Sequence, residues 1–172
     1  MKTLKNLIYL LIVFLFISSC SSDDETVPNP LGDYENGILI TNEGPFQNGT
    51  GTITYISENY ETIEQQIFNQ VNSSDLGNIV QSIGFSDDFA FIVVNNSNKI
   101  EVVNRYSFES LGSITEGLMN PRYFISTGIN GYVTNWGDPL VDTDDYIAVI
   151  DLLSNTVTST IPVAFGPEKL IL

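Results

Sequence analysis

A unit of short strands that recurs along the chain is the feature that most constrains its fold. The first strand of each unit ends in asparagine, and these strands lie at 37–42, 89–95 and 131–135. β-branched and aromatic residues dominate these runs, which is typical of strands. No stretch of ten residues keeps a clear helical period, and residues 61–70 come closest. The sequence therefore predicts an all-β chain.

Two further strands follow in each unit, separated by polar turns. The second strands lie at 52–56, 99–103 and 146–150. The third strands lie at Thr62–Phe68, Glu109–Ile114 and Thr156–Val163. Because the same order of strands and turns occurs three times, we interpret it as a structural repeat.

A shift of about forty residues superposes two of the units. It places Gln81–Phe85 over Pro121–Ile125, and Asn95–Asn96 over Asn135–Trp136. Four strands in about forty residues is the size of a β-propeller blade. The innermost strands of successive blades are then expected at 79–85, 121–126 and 167–172. The first unit has no candidate innermost strand, so it begins at the second of the four strands of a blade. This happens when a propeller closes its ring with a strand from the far end of the chain.

The sequence thus predicts about three four-stranded antiparallel β-propeller blades plus the start of a fourth at Gly166–Leu172. A β-sandwich of about ten strands is the alternative that such spacing allows, but a sandwich does not explain why the pattern repeats after forty residues. Propellers usually have four to eight blades. We therefore expect either a fragment of a longer propeller or a ring that another chain completes, and we favour the fragment.

The N-terminus has the order of charge, apolar run and small residues that marks a secretory signal peptide. Lys2 and Lys5 precede the apolar run Leu7–Ile17, and Ser18–Cys20 follows it. The run is shorter than the roughly 20 residues that a membrane-spanning helix needs. Residues 17–20 resemble the bacterial lipobox, with isoleucine where leucine is usual. The resemblance implies cleavage after residue 19 and attachment of acyl chains such as palmitate to Cys20.

Residues 20–36 are predicted to form a lipidated, acidic and flexible linker ahead of a propeller domain at 37–172. Asp23, Asp24 and Glu25 directly follow the lipidated cysteine. This arrangement resembles the export signal of some Gram-negative lipoproteins, and it implies an outer-membrane protein that is lipid-anchored and faces the cell exterior. A plain solvated spacer is the alternative.

Charge and missing residue types exclude several classes of function. Removal of residues 1–19 leaves all 21 acidic residues but only four of the six basic ones, a formal charge of −17. Such a surface repels nucleic acid. The chain has no histidine, and its one cysteine is Cys20. Histidine-based and thiol-based catalysis and the commonest zinc ligands are therefore missing. We expect neither an enzyme nor a cofactor.

Three segments resemble the YncE-like propellers of surface lipoproteins: Asn42–Ile53, Val93–Val103 and Pro121–Asn135. The resemblance covers residues 36–172 and implies a seven-bladed binding protein. One branch of that family captures cobalamin and passes it to an outer-membrane transporter. The resemblance therefore implies a small molecule such as cobalamin, or a glycan, as ligand, and a membrane transporter as partner.

One face of the predicted blades collects the loops that follow the first strand of each unit. The candidate ligand-binding residues there are Trp136, Asn135, Asn95, Asn96, Asn42, Glu43, Arg122 and Gln81. Amides both donate and accept hydrogen bonds, and an indole ring offers a flat apolar wall. Together they suit a neutral, polar, ring-bearing ligand. We rank Trp136 first because it differs from Asn96, its partner in the repeat.

Each of these residues also has a structural interpretation. The asparagines can cap turns by bonding to their own backbone, and Arg122 can form an ion pair. The acidic loop at 138–145 invites a calcium interpretation, but it lacks the spacing of a known calcium loop, so a solvated insertion is favoured. At the level of function, the alternatives are an outer-membrane interaction scaffold or adhesin and a carboxylate-dependent enzyme acting on glycans, with Glu43, Glu168 or Asp138 as candidate acids.

Overall fold

The structure is a computed structural model that describes residues 29–172. The predicted signal peptide at 1–19, Cys20 with its predicted lipid, and most of the predicted linker lie outside the described residues. In the described part of the chain, no helix combines the length and the apolar character that crossing a membrane requires.

Three antiparallel sheets make up the described chain. Sheet 1 contains β1 (Gly37–Asn42), β2 (Thr52–Ser57) and β3 (Ile63–Glu64). Sheet 2 contains β4 (Val80–Ser86), β5 (Phe89–Val94), β6 (Lys99–Asn104) and β7 (Ser110–Ile114). Sheet 3 contains β8 (Pro121–Thr127), β9 (Asn130–Asn135), β10 (Tyr146–Asp151) and β11 (Thr156–Pro162).

Consecutive strands are hydrogen-bonded neighbours within every sheet, so each sheet is an up-and-down meander. The first strands of sheets 2 and 3, β4 and β8, also lie side by side. This is the arrangement of consecutive propeller blades, and it confirms the predicted all-β propeller class. The sandwich alternative is wrong, because a sandwich distributes its strands over two facing sheets with Greek-key connections.

The core lies between the sheets and not within any one of them. Strand β5 shows why its sequence is apolar at nearly every position: Ala90, Ile92 and Val94 pack toward sheet 1. Phe91 and Val93, on the opposite side of the strand, pack toward sheet 3. A strand that is buried on both faces needs apolar residues at both phases of its alternation.

Sheet 1 lacks an inner strand in the described chain. Its first strand, β1, is the counterpart of β5 and β9, each of which pairs with an inner strand on one side. β1 pairs only with β2. Within the described residues, the first unit therefore begins at the second of the four strands of a blade, which confirms that prediction.

The predicted third strand at 62–68 is mostly wrong. Only Ile63 and Glu64 pair with β2. Gln66 then adopts a left-handed backbone, and helix α1 follows at Ile67–Asn72. The helix buries the adjacent residues Ile67 and Phe68 together. A strand would have placed these two side chains on opposite faces of the sheet.

The end of the predicted linker belongs to the core. Tyr34 is only 9% exposed, and its ring packs edge-on against Tyr55 and Phe108. Burial and the nearby Glu64 carboxylate raise the pKa of Tyr34 to about 12. The prediction that residues 20–36 form a flexible linker is therefore wrong at Tyr34, which is part of the core.

The innermost strand expected at 167–172 is absent from the described sheets. An inner strand pairs with the strand that follows it, as β4 pairs with β5, and residues 167–172 have no such partner among the described strands. The segment nevertheless runs beside sheet 3, because the Thr134 hydroxyl donates to the Glu168 carbonyl at 2.8 Å.

The repeat register is 41 residues between sheets 2 and 3, and not forty. Val80 pairs with Val94 in sheet 2, and Pro121 pairs with Asn135 in sheet 3. Gln81 therefore corresponds to Arg122, and Asn95 corresponds to Trp136. The predicted pairing of Asn96 with Trp136 is one residue off, and such a slip moves every side chain to the opposite face of the strand.

Candidate functional site

A cavity of about 530 Å³ lies where the strand ends of the three sheets meet. The residues that line it are Glu43, Phe46, Gln47, Ile79, Gln81, Asn95, Asn96, Asn120, Arg122, Trp136 and Pro139. Six of the eight predicted ligand-binding residues are among them. A cavity of this size matches the lower part of the range for small-molecule sites.

Three of the lining residues occupy the same position in consecutive sheets. Glu43 directly follows β1, Asn95 directly follows β5, and Trp136 directly follows β9. These three strands are equivalent in their sheets. Asn95 and Trp136 are held alike, because their backbone N–H groups donate to the carbonyls of Ile79 and Asn120. Each blade thus contributes a different side chain from one equivalent position: a carboxylate, an amide and an indole.

Two β-bulges bring Gln81 and Arg122 to the cavity. Val80 and Ser82 pair with Val94 and Val93, so Gln81 is an extra residue in β4. The same irregularity occurs in β8 between Pro121 and Phe124. A bulge re-aims side chains that a regular ladder would fix. The two bulges occupy equivalent places in the two inner strands.

Arg122 joins sheet 2, sheet 3 and the segment after β11 through its guanidinium group. Its Nη1 donates to Gln81 Oε1 at 2.7 Å, and its Nη2 donates to Glu168 Oε1 at 2.9 Å. Its Nε donates to the other Glu168 oxygen at 3.4 Å. The side chain is 17% exposed. The ion-pair interpretation of Arg122 is therefore correct, and the residue also lines the cavity.

Trp136 is held on two sides. The Arg122 guanidinium lies 4.0 Å from the centre of its ring. The indole Nε1 donates to the carbonyl of Pro167 at 3.0 Å. These contacts fix the ring plane, so the face that borders the cavity is a preformed apolar wall.

The three asparagine side chains of the cavity are held by donation from their NH₂ groups. Asn95 Nδ2 donates to the Pro121 carbonyl at 3.0 Å, and Asn120 Nδ2 donates to the Gly137 carbonyl at 2.8 Å. Asn96 Nδ2 donates to Asn78 Oδ1 at 2.8 Å.

Asn42 and Asn135 do not line the cavity. Asn135 is fully buried, and it accepts from the Met119 N–H at 3.0 Å and donates to the Val133 carbonyl at 2.9 Å. Asn42 donates to Thr54 Oγ1 at 2.9 Å across the β1–β2 pair. For these two residues the turn-capping and structural interpretation describes what the side chains do.

Two carboxylates of the acidic loop at 138–145 accept hydrogen bonds from backbone N–H groups, one within the loop and one in the segment after β11. Asp144 accepts from the Asp138 N–H at 2.8 Å, and Asp145 accepts from the Gly166 N–H at 2.5 Å. Within residues 29–172, no group of three or more cysteine, aspartate or glutamate side chains is placed to hold a metal ion.

Five further residues complete the cavity and were not among the eight candidate ligand-binding residues: Phe46, Gln47, Ile79, Asn120 and Pro139. Asn120 precedes the proline that begins β8, and its position one residue before an inner strand matches that of Ile79 before β4. The correct repeat register of 41 residues aligns Asn120 with Ile79 and would have pointed to Asn120. The two residues are equivalent because the Ile79 carbonyl accepts a hydrogen bond from the residue after β5, and the Asn120 carbonyl accepts one from the residue after β9.

Comparison with known proteins supports the fold. No match was found among curated proteins. The chain is similar to the solved structure of Kuenenia stuttgartiensis hydrazine synthase, with a TM-score of 0.54 and 16% sequence identity. The match covers 66% of this chain and 31% of that chain, and at this identity it bears on the fold alone. A family model described as "Domain of unknown function (DUF5074)" matches residues 36–169. The chain therefore belongs to the DUF5074 family, whose matched region here consists of β-propeller-like blades.

Proposed function

We propose that this chain binds a neutral, polar, ring-bearing small molecule or glycan in the cavity beside Trp136, without chemical conversion. The observation that carries the proposal is the preformed wall of Trp136, fixed by Arg122 and Pro167 and faced by amide side chains. Flat apolar surface with a few placed polar groups is the usual composition of a small-molecule site.

The charges at the cavity favour binding over carboxylate catalysis. A glycosidase needs two carboxyl groups that flank the scissile bond. Of the described residues that line the cavity, Glu43 alone carries a carboxylate. The nearby Glu168 is engaged by the guanidinium of Arg122. Both Glu168 oxygens accept hydrogen bonds from Arg122, so Glu43 has no free carboxylate partner among the described residues that line the cavity.

The proposal extends to location and destination. We infer a lipoprotein anchored through Cys20 to the outer membrane and facing the exterior, which hands its ligand to an outer-membrane transporter. Cobalamin is the leading candidate ligand because of the resemblance described above, and a surface glycan is the second. Both are large, neutral or nearly neutral, and rich in rings and polar groups.

Calorimetric titration of the full chain with cyanocobalamin and with a glycan panel tests the proposal. We expect saturable binding to at least one of these ligands. Trp136→Leu removes the flat wall and is expected to weaken that binding by more than about tenfold, as loss of a central aromatic anchor does. Tyr60→Leu is the matched control, since Tyr60 is exposed and does not line the cavity. The absence of binding across both ligand classes would reject the proposal.

A further inference from the structure

Asn95, Asn96 and Asn120, which with Glu43 form what we call the loop side of the cavity, leave free hydrogen-bonding atoms of one kind. Asn95, Asn96 and Asn120 each use their NH₂ group for an internal bond. Among the described residues, none of their Oδ1 atoms receives a hydrogen bond. The three amides therefore keep an acceptor available at the cavity.

The neighbouring groups determine which atom of each side-chain amide is the nitrogen and which is the oxygen. Asn95 and Asn120 face the backbone carbonyls of Pro121 and Gly137, which only accept hydrogen bonds. A flipped amide would place oxygen against oxygen there. The NH₂ group must point at the carbonyl in both residues.

Asn96 is oriented through a relay. Asn78 donates from Nδ2 to the Pro45 and Gly49 carbonyls at 2.9 and 3.2 Å, so its Oδ1 must point the other way. That oxygen accepts from the Gln47 N–H and from Asn96 Nδ2. The Asn96 oxygen is thereby left free as well.

Donors are found on the two inner strands, at Gln81 and Arg122. Gln81 uses its Oε1 to accept from Arg122, which leaves its Nε2 as a donor. Arg122 has five N–H donors. Three hydrogen bonds join the guanidinium to Gln81 and Glu168, so further donors remain available. The Glu43 carboxylate adds a further acceptor at the loop side and accepts no hydrogen bond from the described residues.

We propose, on the basis of the function proposed above, that the ligand is a neutral molecule that presents hydrogen-bond donors to the loop side of the cavity. Hydroxyl groups of a glycan and primary amide groups of a molecule such as cobalamin share this chemistry. A carboxylate or phosphate at that position would meet three amide oxygens and the charge of Glu43. The inner-strand side takes a neutral acceptor, such as a carbonyl or ether oxygen.

Matched ligand pairs test this inference by calorimetry with the full chain. In the first arm, cyanocobalamin is compared with its monocarboxylates, in which one peripheral amide has been hydrolysed. In the second arm, maltohexaose is compared with its per-O-methylated form. In whichever arm the parent ligand binds, we expect the weakest-binding monocarboxylate, or the per-O-methylated sugar, to bind at least about tenfold more weakly than the parent, because donors that face the loop side have been lost. Equal or tighter binding of every monocarboxylate and of the per-O-methylated sugar would overturn the inference while leaving the proposed function intact.

Two variants assign the effect to the loop side. Asn96→Leu should weaken binding of the parent ligand by roughly two- to tenfold, the effect of one hydrogen bond, and should leave unchanged the binding of a partner that has already lost the donor facing Asn96. Glu43→Gln should selectively improve binding of the monocarboxylates. Asn36→Leu is the control, because Asn36 is exposed and lies outside the cavity. If neither parent ligand binds, the proposed function itself fails, and this inference fails with it.

Discussion

Arg122 is the residue on which the candidate site depends most, because its side chain touches Gln81, Glu168 and Trp136 at once. We expect Arg122→Leu to release the indole ring and to expose it to water. Trp136 is the one tryptophan in the chain, so its fluorescence reports on this site alone. The emission should shift to longer wavelength and become easier to quench with acrylamide. The stability cost should be about 1 kcal/mol, since the pair is partly exposed.

Arg105 provides a matched control for that prediction. Its guanidinium lies over the rings of Phe85 and Tyr106 at 5.0 and 5.3 Å, and it does not line the cavity of Trp136. Arg105→Leu removes a similar cation–ring contact and should leave the tryptophan emission unchanged. An unchanged spectrum in Arg122→Leu would mean that the arginine does not hold the indole.

The sequence contained the residue types of the site but not the positions of all of them. Asn95 and Asn135 look equivalent, because both end a strand at the same point of the repeat. In the structure Asn135 is the last paired residue of its strand, whereas Asn95 lies one residue beyond the last pair. Side chains alternate between faces along a strand, so one amide is buried and the other lines the cavity. Matching asparagine with asparagine therefore produced the wrong register.

At the scale of single elements, the strands were largely predictable and the two bulges were not. Apolar alternation and turn residues located ten of the eleven described strands closely, and β3 was the exception because its segment becomes helix α1. A bulge depends on which residue faces which across two strands. Neither Gln81 nor Arg122 carries a local signal of that pairing, so only the structure shows why both reach the cavity.

Gly84 sets the distance between the inner strands β4 and β8. A Cβ atom at this position would lie 2.6 Å from Phe124 Cδ1 and 2.8 Å from the Phe124 carbonyl oxygen. Gly84→Ala must therefore push the two strands apart. We expect it to lower the free energy of unfolding by about 1–3 kcal/mol, measured by urea denaturation followed by circular dichroism.

Ser86→Ala, on the same strand, is the control for Gly84→Ala. Ser86 is partly exposed, and its side chain makes no hydrogen bond to the described residues, so its replacement should be close to neutral. If Gly84→Ala is as stable as the wild type, the close approach of the two inner strands does not hold in solution.

At the scale of the whole molecule, the described blades leave two apolar faces without a neighbouring sheet. Ile38 and Ile40 on β1 are 45% and 40% exposed, on the side of the strand that faces away from sheet 2. Ile161 on β11 and Phe165 after it are exposed beside sheet 3. The corresponding positions of β5 are buried on both sides. Apolar faces of this kind, next to an open strand edge, promote association.

We therefore expect this 172-residue chain to associate in solution at micromolar concentration. The double substitution Ile38→Lys and Ile40→Lys places charge on the uncovered face and should shift the chain toward the monomer in sedimentation velocity experiments. Tyr60→Lys adds charge at an exposed position elsewhere and should not have this effect. A monodisperse monomer before any substitution would show that these faces are not adhesive.

The hydrogen-bonded series of Gln81, Arg122 and Glu168 takes one member from strand β4 of sheet 2, one from strand β8 of sheet 3 and one from the segment after β11. Blades of this protein are therefore not interchangeable parts, although their strands follow one plan. A gene duplication, deletion or swap of a single unit would set arginine beside arginine or glutamate beside glutamine. Such rearrangements, which repeat proteins otherwise accept easily, should survive here only with a compensating change in the adjoining unit.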